Sequence, residues 1–140
     1  GGGDMNFSRL IPGTIKSLIF DQAPIIRSDG TFVRDYVYVK NVADVYMKLA
    51  HLAHQNKAIG ESFNYSDDAP KKVLEVVEMI IRVMGKPHLK PLIQNNAAHE
   101  IHDQHLSSAK LRSYVDLAQL TSMEKSLTET IGWYHEFFRQ

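Results

Sequence analysis

The sequence predicts an α/β domain, small and mixed, made of helices with a few short strands. Apolar residues return at three- and four-residue spacing in several stretches, which marks amphipathic helices. Short runs rich in β-branched and aromatic residues lie between them. The 140 residues, 44% apolar and 23% charged, are enough for one packed core and too few for two. The strands are too few and scattered to form a self-contained sheet.

The first helix is expected from Arg9 to Phe20, where Leu10, Thr14 and Leu18 and then Ile11, Ile15 and Ile19 recur at four-residue spacing. Pro12 is tolerated near its start because first-turn amides have no intrahelical partner. Two β-like runs follow, Pro24 to Arg27 and Thr31 to Val39, with turn chemistry at Ser28-Asp29-Gly30 between them. A helix is expected from Val42 to Ala53, burying Val45, Tyr46, Leu49 and Leu52, and a short strand over Ser62 to Tyr65. The most apolar helix, Lys72 to Met84, should be deeply buried and should stop at Gly85 and Pro87. His88 to Ile93 reads as extended, Gln94-Asn95-Asn96 as a loop, and Ser107 to Tyr114 as a short helix. Thr121-Ser122-Met123-Glu124 has capping-box form and opens a last helix with Leu127, Ile131, Tyr134 and Phe138 on one face.

Sixteen basic and sixteen acidic residues balance to zero, so the chain has no electrostatic footprint for nucleic acid or an anionic membrane. There are no cysteines, which removes disulfides and thiolate chemistry together. The absence of an apolar run near ~18 residues and of a secretory signal points to a cytoplasmic protein. The chain opens Gly1-Gly2-Gly3-Asp4 with its first methionine at Met5, as if cut from something longer.

Few residues offer chemistry on their own. Arg34-Asp35-Tyr36 puts charge inside a strand-like run. Either Arg34 and Asp35 face water or each other on an edge strand, or Arg34 enters a cleft to bind phosphate with its planar fork. Arg9 and Arg27 could converge with it. Tyr36 and Lys40 match Tyr-x-x-x-Lys, an acid/base pair that works on a helix. On a β-like run the two side chains would stand ~13 Å apart, so the match is read as accidental. His99, His102 and His105, and the pair His51 and His54, are read as polar loop and surface histidines rather than metal ligands. Gly1-Gly2-Gly3 has no strand before it, so it is no dinucleotide fingerprint. No nucleophile triad or paired carboxylate is present, and no catalytic residue is assigned.

Several segments in order resemble one family. They are Gly1 to Gly13, Ala23 to Gly30, Val33 to Val39, Asn41-Val42-Ala43-Asp44, Gly60 to Asn64 and Thr130 to Tyr134. Together they resemble the C-terminal half of extended short-chain dehydrogenase/reductases acting on nucleotide sugars, the NAD-dependent epimerase/dehydratase family. Within it, the opening segment and Glu100 to Leu106 look most like the CDP-glucose 4,6-dehydratases.

The resemblance implies a substrate-binding subdomain over residues 1–140, with a separate N-terminal Rossmann domain that carries NAD(P) and the catalytic tyrosine and lysine. The chain would then hold no cofactor, would be inactive alone, and would serve conversion of CDP-glucose to CDP-4-keto-6-deoxyglucose in the full-length enzyme. Its partners would be a nucleotide diphosphate sugar and its own Rossmann domain, and a homo-oligomer would use another surface. The same half of a C4 epimerase or reductase, or a stand-alone binding or assembly module, fits the residues too. By resemblance, Arg34 grips the diphosphate and Arg9, Leu10, Ile11 and Pro12 lie along the nucleotide, with Asn6 just before them. Ile25, Ile26 and Arg27 match the strand beside the base, which would stack on the Arg27 guanidinium where some relatives use an aromatic ring. Asn64 falls in the family's Phe-Asn motif, and Gln104 stands near a second phosphate-binding arginine of many relatives.

Overall fold

A computed structural model describes residues 1–96, 100–118 and 120–139. Helix α1 spans Leu10–Ile19 and begins after Arg9, whose backbone is extended. Pro12 sits in its first turn, and Thr14, Ile15 and Leu18 are buried with it. Strand β1, Ile25–Ile26, and strand β2, Val33–Arg34, come next, followed by α2, Val39–His54. Strand β3, Lys71–Lys72, runs directly into α3, Val73–Val83. Strands β4, Leu92–Ile93, and β5, Asp103–Gln104, then lead to α4, Ala109–Arg112, and α5, Met123–Phe138.

The strands make two small sheets. In one, β1 pairs in parallel with β4, Ile25 opposite Leu92 and Ile26 opposite Ile93. In the other, β2 is central: antiparallel to β3, with Val33 opposite Lys72, and parallel to β5, with Arg34 opposite Gln104. The main core lies between α1, α3 and α5, where Ile15, Leu18, Ile26, Val76, Val77, Ile80, Leu127 and Tyr134 are buried. A second cluster gathers Val45, Leu111, Val115 and Leu117 under α2.

Strands β3 and β5 are not expected from the sequence. Elsewhere the structure departs from expectation at four places, each for a visible reason. The run Thr31 to Val39 yields only a two-residue strand, and Val39 already starts α2. Beyond Arg34 the Asp35 carboxylate takes the place of a ladder, accepting from the Leu106 amide and from the Ser66 hydroxyl. Ser62 to Tyr65 joins no ladder. Its Ser62 carbonyl takes a hydrogen bond from Lys110 at 2.9 Å, while Phe63 and Tyr65 pack on the second cluster. Tyr46 is 70% exposed, because α2 buries only the narrow face of Asn41 and Val45. The cap of α5 is Ser122, not Thr121, since Ser122 Oγ accepts from the Lys125 amide.

Gly85 adopts φ +66° and ends α3 as expected, a left-handed conformation that costs other residues. Glu75 completes the start of that helix by accepting from the Lys72 amide at 3.1 Å. Buried Asn41 ties α2 to the segment before α5: its side-chain amide donates to Thr121 O at 2.9 Å and accepts from Thr121 N at 3.0 Å. No helix among the described residues is long and apolar enough to cross a membrane.

Candidate functional site

The N-terminal end of α1 and the ends of β1 and β2 enclose a cleft of about 440 Å³. Phe7, Leu10, Ile25 and Val73 give it an apolar floor, and Arg9, Arg27 and Arg34 bring three cations to it. Different local devices place each arginine.

Arg9 is the N-cap residue of α1, and its guanidinium pairs with Asp4 at 3.0 Å. The Asn6 amide and Arg9 together hold the Asp4 carboxyl below the usual carboxylate range. Asn6 itself is a turn residue: its side-chain oxygen accepts from the amide of Ser8 at 3.1 Å and from the Ser8 hydroxyl. The turn presses so closely on α1 that a Cβ at Gly13 would sit 2.6 Å from the Phe7 carbonyl oxygen, so glycine is required there. Arg27 follows β1 and reaches back to the Ser8 carbonyl at 3.3 Å, which links β1 to the same turn.

Arg34 is the most firmly held. One guanidinium nitrogen donates to Val33 O at 2.7 Å and to His102 O at 3.3 Å, and the group lies 5.5 Å from the Phe32 ring centre. The other terminal nitrogen is 3.5 Å from the Glu100 carboxylate. Beside it, burial pushes the Tyr36 hydroxyl up to about 12 against the opposing pull of Arg34. Tyr36 therefore stays protonated at neutral pH and can donate a hydrogen bond into the cleft it lines.

Of the residues singled out from sequence, Arg9, Leu10, Arg27 and Arg34 line this cleft together. Ile11 instead borders a smaller hollow with Tyr38 and Leu127, and Pro12 is buried in α1. Ile26 points into the core at 1% exposure, and by strand alternation its neighbour Ile25 faces the cleft. Asn64 is exposed and lies outside the lining, as does Gln104, although Gln104 stands opposite Arg34 in the β2–β5 ladder. Reading the sequence missed Glu100, Ser17 and Ser28. No local signal gives Glu100, which arrives through a strand pairing across about seventy residues.

Tyr36 and Lys40 do not work as a pair. Lys40 sits on α2, is exposed, and bonds Glu129 at 2.8 Å, an oxygen it shares with the Tyr38 hydroxyl. Four of the described histidines have ordinary partners: His51 meets Gln55 at 2.8 Å, His88 meets Asp21 at 3.4 Å, His102 meets Thr31 at 3.1 Å and His105 meets Asp103 at 2.7 Å. His99 lies outside the described residues. Among the described residues no group of three His, Asp or Glu could hold a metal ion. The first helix after Gly1 to Gly3 starts at Leu10, so no helix N-terminus stands directly behind these glycines as a dinucleotide turn requires. The cleft offers guanidinium forks over an apolar floor, an arrangement suited in shape and charge to an anion.

No family model matches the sequence. The chain is similar to dTDP-glucose 4,6-dehydratase of Haemophilus influenzae, 23% identical over 145 residues, covering 95% of this chain and 41% of the relative. Among solved structures it superposes on a Bacillus anthracis dTDP-glucose 4,6-dehydratase in complex with NAD with TM-score 0.77 and 22% identity, covering 97% of this chain and 42% of that one. It superposes on a Bacillus cereus UDP-glucuronic acid 4-epimerase in complex with NAD with TM-score 0.80 and 17% identity, covering 99% and 42%. The fold is that of the C-terminal part of extended short-chain dehydrogenase/reductases. The sequence relatives, dehydratases among them, support that family, and the chain spans about two fifths of the length of the dTDP-glucose 4,6-dehydratase it matches. Dehydratase and epimerase share this fold, so the architecture of the extended reductases does not separate the two reactions.

Proposed function

We propose that the chain is the substrate-binding part of an NAD-dependent nucleotide-sugar 4,6-dehydratase, gripping the diphosphate of a nucleotide sugar in the arginine cleft. The observation that carries this reading is the convergence of Arg9, Arg27 and Arg34 on one cleft with an apolar floor. Guanidinium forks match phosphoryl oxygens in shape and charge. Arg34 is the principal diphosphate ligand, because its fixed guanidinium keeps one edge for an anion. Arg9 and Leu10 lie along the nucleotide, with Asn6 shaping the turn that presents them. The base stacks on Arg27 beside Ile25, the β1 residue that faces the cleft, while Ile26 supports from the core. Ile11, Pro12, Asn64 and Gln104 act at a distance from this cleft, through packing or through contacts with the sugar.

The preferred substrate is CDP-glucose, on the strength of the Glu100 to Leu106 segment, and the product is CDP-4-keto-6-deoxyglucose. Residues 1–140 form one substrate-binding unit. NAD belongs to a Rossmann domain that this unit partners, and the unit alone positions substrate without turning it over. A C4 epimerase is the second reading, favoured by the likeness to the B. cereus epimerase.

Isothermal titration of the chain with CDP, UDP, GDP and dTDP tests the proposal. Tightest binding of CDP supports it, tightest binding of another nucleotide moves the base assignment, and binding of none of them overturns the reading. Dehydratase and epimerase part in the product formed from CDP-glucose by the chain joined to an NAD-loaded Rossmann domain: a 4-keto-6-deoxy sugar against an inverted C4 hydroxyl.

A further inference from the structure

Glu100 is the one acidic side chain among the described residues lining the arginine cleft. Its carboxylate lies 3.5 Å from the Arg34 nitrogen that backbone carbonyls leave unused. The two partners differ in freedom: the Arg34 side chain is 22% exposed and tied to Val33 and His102, whereas Glu100 is half exposed. A carboxylate on the free edge of a guanidinium occupies the position that phosphoryl oxygens would take. Glu100 can turn into solvent, and Arg34 cannot follow it without giving up its backbone bonds.

We propose that Glu100 is a built-in competitor, covering Arg34 in the empty cleft and giving way when an anionic diphosphate binds. The inference rests on the diphosphate-binding reading above. Glu100 holds the guanidinium in its binding orientation between ligands, and the cost is paid as weaker affinity. It is a specificity-determining residue for the site, since a ligand must bring enough negative charge to displace it.

The test is calorimetric titration of the 140-residue chain with inorganic pyrophosphate and with CDP, using wild type, Glu100→Gln, Glu100→Ala, Arg34→Gln and the double variant Glu100→Gln/Arg34→Gln. Removing the Glu100 charge should tighten both ligands about two- to fivefold, the range set by a partly exposed ion pair. The gain should vanish in the Arg34→Gln background, because the competitor acts through that guanidinium. Unchanged or weaker binding in both Glu100 variants overturns the inference, and so does an equal gain with and without Arg34, which would be a general charge effect. CDP binding by wild type with no Glu100 effect sinks this inference alone. If no variant binds either ligand, the diphosphate reading falls and takes this one with it.

Discussion

Replacing Arg34 with alanine removes the best-fixed cation of the cleft. One of its guanidinium nitrogens is spent on Val33 O at 2.7 Å and His102 O at 3.3 Å. The Nε–H and the remaining terminal nitrogen are therefore the donors left for a diphosphate. Hydrogen bonds to charged groups contribute ~1.5–3 kcal/mol, so Arg34→Ala should weaken CDP binding by about 10- to 150-fold. Arg34→Lys keeps the charge and loses the fork, and should fall between wild type and alanine. Arg9→Ala should lose far less, because that side chain is 67% exposed and already paired with Asp4. Calorimetric titration with CDP reads all three, and circular dichroism checks that β2 and β5 still assemble without the Arg34–His102 bond. A loss below about threefold in a folded Arg34→Ala protein would refute the placement of the diphosphate on this guanidinium.

Stability should follow the packing just as specifically. Ile80→Ala, at a position with 0% exposure between α1, α3 and α5, should cost ~2–5 kcal/mol and show as a large fall in the urea midpoint. Tyr134→Phe leaves the ring in place but removes the hydroxyl that donates to Asp4 O at 2.6 Å, costing ~1–3 kcal/mol by thermal unfolding. Asn41→Ala breaks both bonds to Thr121 at a fully buried site and should cost ~2 kcal/mol, without altering CDP affinity. Acid should loosen the fold, because Asp4, Asp21 and Asp68 are all held below their ordinary 3.8 by amide, Arg and Lys partners. Their contribution is present above that value and is lost as pH falls through the lowered folded values, so Tm should be level above about pH 5 and fall below about pH 4. Tyr36 runs the other way: its hydroxyl is raised to about 12, so its contribution is complete below its ordinary 10.0 and disappears as pH rises through about 12.

What the sequence revealed and what it hid divide along physical lines. The helices α1, α3 and α5 were legible because each carries its own burial pattern, Ile15 with Leu18, Val76 with Ile80, Leu127 with Ile131. Arg34 stood out as a charge in a β-like run, but its convergence with Arg9 and Arg27 depends on packing that no local pattern encodes. Ile25, Ile26 and Arg27 read together as one strand, and alternation along β1 divides them: Ile26 turns into the core while Ile25 and Arg27 line the cleft. The long strand expected over Thr31 to Val39 failed because ladder length is set by partners. Both partners are two residues long here, and Asp35 offers the next backbone group a carboxylate instead. The cap of α5 slipped from Thr121 to Ser122 because Thr121 is already committed, by both its amide and its carbonyl, to Asn41.

Net charge and local charge tell different stories in this chain, and on the proposed function the difference is what would let the cleft bind an anion. Sixteen positive and sixteen negative side chains cancel overall, so no long-range field draws polyanions to the surface. Inside the cleft the balance is three guanidiniums against one carboxylate among the described lining residues. Each guanidinium is braced by something other than the ligand: Asp4 for Arg9, the Ser8 carbonyl for Arg27, and the Val33 and His102 carbonyls for Arg34. Bracing removes side-chain entropy before the ligand arrives, so less is lost on binding. The braces also join parts distant in sequence, since Ser8 is fixed by Asn6 and the His102 segment is held to β2 by the Val33 amide. The proposed anion recognition would thus depend on the turn before α1 and the β2–β5 ladder acting together. Loosening either one should spread the arginines before it removes any of them.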